Sequence, residues 1–567
     1  MGQCMCPSRS RRRERRNRSN DSENSISATE AQGELLRFLG LDVRCLILEA
    51  LTDIRRLHNN DQELPASMVK LNLIVDNEEG WNMVVKQLVQ FVPLNSPIAP
   101  AVITLFFDES PLPCKAAVTK VLNELMEESQ REPQSPTWHR NMCIVIKCIC
   151  EKLAGSNSIV SDSSVVNYLL SCLKPSNDPT VCLFSLLALE SLASFSWFSF
   201  VLSAISSAFN RSGETRVLIC NHFAEQPTNP LVNFERMNKD EDLTKRQLGF
   251  CAQWALDNIF VPEDRVFAYL QEDMSSTRAL LNQNDASEYL KISADGLEAR
   301  SDVSCFESVR CTFEVNNGVW YYEALIVTPG IMQIGWATKE SKFFNLEGYG
   351  VGDDEYSIAY DGCRRLLWFN AASFGQLVKA WDAGDVLGCL IDVNRKEVSF
   401  YLNGVIIGRP FRSLFQVAQQ GFYAAASFMT FQQCRFNFGK EPFRYPPDVS
   451  FNTFNEYGIL TLEKRKILTK YDDTAKLLYG WPFNRPAFLL IFFYYFYVDV
   501  FCIPIVEWIS KVGPISFFRK AKLQLLKEEN IPDGSCVICY SQPGLRILEP
   551  CKHGYVCFIQ RACRKLY

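Results

Sequence analysis

Near Glu298 the spacing of apolar residues changes, and that one change divides the chain into two kinds of fold. Upstream, Leu46–Leu57 and Trp81–Phe91 place apolar residues at three- and four-residue steps, the spacing of one helix face. Met142–Leu153, Val165–Leu173 and Val181–Leu192 repeat the pattern, and Lys245–Asn258 is the last segment to carry it clearly. Short breakers such as Ala154-Gly155-Ser156-Asn157 and Pro175–Pro179 separate these segments. Consecutive amphipathic helices on short connections predict an N-terminal helical array of armadillo or HEAT type over residues 34–290. Downstream, Val319–Val327, Met332–Ala337, Val386–Val393, Val398–Leu402, Phe422–Phe428 and Cys434–Phe438 are short β-prone runs, with hairpin turns at Asn317-Gly318 and Asn403-Gly404. They predict an all-β sandwich over residues 298–446. The expected class is therefore multidomain α + β.

The chain has 567 residues, enough for several domains, and is 47% apolar with a formal net charge of −5. That balance holds no basic excess to attract nucleic acid, and none is expected as a partner. The 22 cysteines are scattered through apolar segments, as at Cys143, Cys148 and Cys150. They read as reduced core thiols of an intracellular, cytoplasmic protein rather than a disulfide framework. Histidine is scarce, and His58, His139 and His222 have no Cys or His at ligand spacing, which leaves little for general-base chemistry. There is no serine nucleophile elbow, Walker lysine loop or HExxH motif. Gly348-Tyr349-Gly350-Val351-Gly352 is no phosphate loop, because Asp353-Asp354-Glu355 follows it and would repel phosphate; those acids in turn lack EF-hand spacing. Trp320, Trp336 and Phe400 are expected in the core, and Phe343–Tyr356 and Trp368–Phe374 at the surface.

The two ends carry different chemistry. Met1-Gly2-Gln3-Cys4-Met5-Cys6 precedes an arginine-rich run from Arg9 to Arg18, with no apolar segment of signal-peptide type. Gly2 is a candidate for myristate and Cys4 and Cys6 for palmitate, although Cys6 stands where the acylation motif usually has Ser or Thr. Each arginine near an anionic leaflet adds about 1 kcal/mol, so residues 1–33 read as a basic, lipidation-competent tail with a membrane surface as its partner. At the other end, Cys536-Val537-Ile538-Cys539, Cys551-Lys552-His553 and Cys557 follow the order of the first half of a cross-brace zinc module. Cys536, Cys539, Cys551, His553 and Cys557 are the candidate Zn2+ ligands. Between sandwich and zinc pattern, residues 447–530 read as a linker with an apolar insertion. Its uninterrupted run, Ala487–Val498, falls short of the ~20 residues that span a bilayer, and Asp499 follows at once. Ser194–Asn210 is a second odd apolar stretch.

Trp320-Tyr321-Tyr322-Glu323, Ile334-Gly335-Trp336-Ala337, Tyr356–Gly362, Gly384–Gly388, Val398–Gly404 and Phe436-Asn437-Phe438-Gly439 together resemble the ordered motif series of a SPRY (B30.2-type) domain. With the helical region before it and the Cys/His pattern after it, the chain resembles the RING/SPRY ubiquitin-ligase family. The resemblance implies a SPRY domain that holds a protein or peptide substrate in its loops. It also implies a RING that binds a ubiquitin-conjugating enzyme and orients its ubiquitin thioester, with no residue acting as nucleophile. Ile538 would be the conjugating-enzyme contact. In RING order, Cys536, Cys539 and Cys557 supply three ligands of one site, with Gln560 at the fourth position. Cys551 and His553 open the second site, whose other pair would lie beyond Tyr567. Residues 531–567 are thus expected to be a truncated RING-type zinc finger, short of ligands that supply its folding energy. The function implied is a RING-type E3 ubiquitin ligase or ligase component; the alternative is a non-enzymatic SPRY adaptor with a degenerate RING.

Overall fold

The computed structural model describes residues 42–461, apart from 57–64, 112, 153–162, 204–212, 226–228, 263, 344–347 and 376–377, and without the side chains of 55–56, 194–203, 213–217 and 225. The helical region runs through α1 (Val43–Arg56), α2 (Ala66–Ile74), α3 (Glu78–Phe91), α4 (Ala99–Glu109), α5 (Lys115–Arg131) and α6 (Pro136–Lys152). It continues through α7 (Ser163–Cys172), α8 (Pro179–Ser203), α9 (Gly213–Glu225), α10 (Pro230–Glu235), α11 (Leu243–Asn258) and the single turn α12 (Ala268–Gln271). Local chemistry sets the starts: Asn77 caps α3 by accepting from the Gly80 amide, and Asp242 caps α11 by accepting from Thr244 and Lys245. Gly80 is required there, since a Cβ would lie 1.9 Å from the Ile74 carbonyl oxygen.

α6 is the hub, packed against α3, α4 and α8 and buried along Met142–Cys150. Its polar residues finish its neighbours. Asn141 Nδ2 donates to the Val89 and Val92 carbonyls at 2.9 Å, and Arg140 donates to the Pro93 carbonyl at 2.9 Å. Lys152 donates to the Asp108 and Ser110 carbonyls at 2.9 and 2.8 Å. These bonds satisfy carbonyls that the C-termini of α3 and α4 leave open.

The sandwich consists of β1 (Leu281–Ala286), β2 (Lys291–Ile292), β3 (Glu298–Ser301), β4 (Glu307–Cys311), β5 (Val319–Ile326), β6 (Met332–Ala337) and β7 (Ser357–Asp361). β8 (Leu366–Phe369), β9 (Ala372–Gly375), β10 (Val386–Asp392), β11 (Glu397–Leu402), β12 (Val405–Phe411), β13 (Tyr423–Phe428) and β14 (Gln432–Asn437) complete it. One antiparallel sheet has the order β1-β4-β13-β6-β7-β8-β9 and the other β12-β11-β10-β5-β14-β3-β2. Asn403-Gly404, with φ of 50° and 81°, makes the two-residue turn between β11 and β12 that the dipeptide predicts. Tyr322, Trp336, Phe400, Phe436 and Phe438 fill the space between the sheets, none more than 2% exposed.

Two boundaries differ from the sequence reading. Strands begin at Leu281, inside the stretch assigned to helix, because β1 is an edge strand (Leu-Asn-Gln-Asn-Asp-Ala) with one buried residue and no apolar alternation. The sandwich also extends past residue 446 into the supposed linker. Phe454, in the turn α14 (Phe454–Tyr457), is fully buried and stacks on Phe438 with centroids 5.5 Å apart. Among the described residues, no helix is long and apolar enough to cross a membrane.

Candidate protein-interaction face

The sheet order gives the sandwich two lateral edges with opposite fates. The β2–β3 edge is sealed by helices through charged side chains removed from water. Lys291 on β2 lies 2.6 Å from Glu190 of α8 and 2.8 Å from Asp302, with its ammonium 4.5 Å from the Trp254 ring of α11. On β3, Arg300 donates to Asp302 at 2.7 Å and to Gln247 of α11 at 3.1 Å. Glu298 accepts both guanidinium bonds of Arg246, at 3.0 and 2.6 Å. Phe184 meets Phe431 edge-on at 5.0 Å beside them. Buried charges cost several kcal/mol each unless paired and bonded; here Lys291, Glu298 and Arg300 each have a partner on the helices, and Asp302 is held by Lys291 and Arg300.

Burial opposes ionisation of Asp302, yet the Arg300 guanidinium and the Lys291 ammonium outweigh it and hold the carboxyl at about 2. A carboxyl held below its ordinary 3.8 contributes stability above that pH and loses it as pH falls toward 2. We therefore expect the melting temperature to drop steeply between about pH 4 and pH 2, and Asp302→Asn to flatten that segment of the curve while lowering the plateau.

Both broad faces are covered as well. Over the first sheet, small residues Ala337, Ala359 and Ala425 make room for Val351, with Phe343 beside it. The Val351 amide donates to Ser427 Oγ at 2.8 Å. The neighbouring acids act as staples: Asp354 accepts from Ser341 and Ser357 at 2.8 Å each, and Asp353 from the Gly350 amide at 2.7 Å. The described part of Phe343–Tyr356, expected as a recognition surface, is thus fastened to the sheet. Over the second sheet, residues 443–451 lie across Tyr321, whose hydroxyl donates to the Tyr445 carbonyl at 2.9 Å. Glu323 accepts from the Arg444 and Tyr445 amides at 2.8 and 2.7 Å. Only glycine fits at position 388 on β10, because a Cβ would sit 2.3 Å from the Tyr321 hydroxyl.

The opposite edge is open. β9 ends the first sheet and β12 the second, and aromatic rings join them: Phe411 lies 5.0 Å from Phe369 and 6.2 Å from Phe374. Phe374 is 45% exposed, Ile406 46% and Val405 67%. Arg409 is exposed on β12 and forms no ion pair among the described residues, while Arg412 pairs with Glu397 at 3.0 Å. The edge is not a plain strand template. β9 has 4 residues, and the β11–β12 register shifts where Gly408 takes φ of 66° and Pro410 lacks a donor. This arrangement suits capture of an apolar side chain flanked by acidic residues. Phe374 lies in a stretch singled out by sequence, whereas Phe411 and Arg409 had no local signal, since only the sheet order brings β12 to β9.

Ile538, Gly2, Cys4, Cys6, residues 487–498 and the zinc candidates Cys536, Cys539, Cys551, His553 and Cys557 all lie outside the described residues. Among the described residues no His/Cys/Asp/Glu group could hold a metal ion, and the cysteines form no disulfide.

Residues 319–441 match the family model of the SPRY domain. A stretch of 148 residues, 26% of the chain, is 40% identical to E3 ubiquitin-protein ligase RKP of Arabidopsis thaliana and covers 11% of that protein. Over 169 residues, 30% of the chain, it is 31% identical to ATP-dependent RNA helicase Ddx1 of Drosophila melanogaster, covering 22% of it. The chain thus matches only a small part of each relative's length. Among solved structures, the SPRY domain of human HERC1 is 15% identical, with 28% of this chain and 96% of that chain covered and a TM-score of 0.23. The central sandwich is a SPRY domain.

Proposed function

We propose that the chain is a substrate-recognition component of ubiquitin transfer, whose SPRY domain binds a protein segment at the β9/β12 edge. The open aromatic edge, lying opposite the edge that the helices seal, carries the recognition half of this reading. An aromatic cluster on a strand that also carries an exposed arginine is the composition of a binding hot spot rather than of a catalytic site. The similarity to a plant E3 ubiquitin-protein ligase, together with the Cys536–Cys557 pattern, supports the ubiquitin half. In this reading the armadillo- or HEAT-like helices act as a scaffold. The RING-type tail holds Zn2+ through Cys536, Cys539, Cys551, His553 and Cys557 and meets the conjugating enzyme at Ile538. Gly2, Cys4 and Cys6 with the arginine run add a membrane tether to an otherwise cytoplasmic protein. The second reading, a non-enzymatic adaptor, is favoured by Gln560 at a zinc-ligand position.

The test has two arms. Partners recovered with the full chain should be lost from a Phe374→Ser/Arg409→Glu double variant whose melting temperature is unchanged, since both side chains are exposed. Retention of every partner would refute recognition at this edge. With a conjugating enzyme and ubiquitin, the full chain should form products that Cys536→Ala abolishes; equal background product in both leaves the adaptor.

A further inference from the structure

β12 presents apolar side chains on both of its sides. On the inner side, Phe411 closes the gap to Phe369 and Phe374 at the open edge. On the outer side, Ile406 pairs in register with Tyr401 of β11, whose ring lies 6.4 Å from Tyr321. The segment laid across Tyr321 also brings Tyr445 over the β11–β12 turn, where a Cβ on Gly404 would lie 3.3 Å from the Tyr445 Cβ. Ile406 is 46% exposed and Tyr445 40%. One exposed apolar side chain is ordinary on a protein surface, but here a single short strand carries a group of them on each side. Arg409 lies along β12 between Ile406 and Phe411, exposed and without an ion pair among the described residues. Its neighbour Arg412 is taken by Glu397.

We infer that the protein segment bound at this edge carries two large apolar side chains about five residues apart, with Asp or Glu between them. The inference rests on the reading that the β9/β12 edge binds a protein segment, and it names the chemistry of that segment. Phe374 and Phe411 seat one apolar side chain; Tyr401, Ile406 and Tyr445 seat the other. Phe411 is five residues on from Ile406, about 16 Å of extended strand, so a ligand lying along β12 spans both seats in about five residues of its own. Arg409 falls inside that span, which places the acidic residue between the two anchors. At the Tyr445 end, exposed Arg444 and exposed Asp448, the latter near Tyr401, offset each other, so the demand for acid is set at Arg409. The ligand is held by side chains rather than by strand pairing. The register shift at Gly408 and the missing donor of Pro410 interrupt the backbone between the two seats.

The full chain tests this against displayed random-sequence peptides of about twelve residues, long enough to reach both seats. Selected peptides should share two large apolar residues about five apart with Asp or Glu between them. In fluorescence anisotropy with one selected peptide, replacing either apolar residue by Ala, or the acid by Lys, should weaken binding at least about tenfold. Those changes leave the protein untouched. Ile406→Thr and Tyr445→Ser, both at exposed positions of the chain, should each weaken the parent peptide as well. Basic or single-anchor peptides, or no enrichment at all, would overturn the inference. Binding lost in Phe374→Ser/Arg409→Glu but kept within about twofold in Ile406→Thr and Tyr445→Ser removes the second seat and leaves recognition at the edge standing. Binding unchanged in all of these variants removes the edge reading too.

Discussion

Replacing Lys291 by methionine should lower the stability of the described region by about 3–5 kcal/mol, the cost of leaving buried charge unpaired. Burial alone would depress the Lys291 ammonium, but Asp302 and then Glu190 outweigh it and hold it above its ordinary range. Methionine keeps the stem that packs by Trp254 and removes only the charge. Glu190 and Asp302 would then face each other at 8% side-chain exposure without a cation between them. Glu190 is already pushed up by burial, so it would take up a proton rather than stay charged. Urea denaturation measures the loss, and the companion variant Glu190→Gln/Lys291→Met should recover part of it. A loss under about 1 kcal/mol would show that water reaches this interface and that the pair behaves like a surface bridge. Because the network joins α8 and α11 to β2 and β3, proteolysis between the helices and the sandwich should accelerate in parallel.

Phe454→Ala should cost a similar amount, about 3–5 kcal/mol, by removing a buried ring from a close-packed core. Phe454 is fully buried, and its ring lies 5.2 Å from Phe313, 5.5 Å from Phe438 and 5.9 Å from each of Trp320, Tyr322 and Trp336. The cavity would open where the two sheets close over their aromatic core. Thermal unfolding followed through tryptophan fluorescence reads both the loss and the altered surroundings of Trp336. A chain cut after residue 446 should behave worse still, since it also loses Phe451 from Tyr321. If Phe454→Ala melts with the parent, the segment beyond 446 is a linker after all.

The sequence revealed what repeats locally and hid what is paired at a distance. Strands β5, β6, β10, β11 and β13 could be located from their own composition because they are short apolar runs, buried almost throughout and bounded by turn residues. Phe454 could not, since it stands alone between polar residues and its partners come from four other segments. Lys291, Glu298, Arg300 and Asp302 look like a solvated stretch in the sequence, yet they form the ionic seal against the helices. Charge in a sequence signals a surface unless its counter-charge, here more than a hundred residues away at Glu190, is known to meet it. His139 shows the same limit. Its ring nitrogen meets the Tyr168 hydroxyl at 2.8 Å, a partner 29 residues on in the chain and on another helix.

The bulge at Gly408, the proline at 410 and the shortness of β9 have a further consequence, for crowding. A sandwich with one sealed edge would ordinarily grow by adding a neighbour's strand to the other, and copies brought together at high local density would chain into filaments. Here that edge offers no unbroken row of donors and acceptors, and Arg409 leaves an exposed charge on it. Copies brought close together therefore find no ready strand template in one another at this edge.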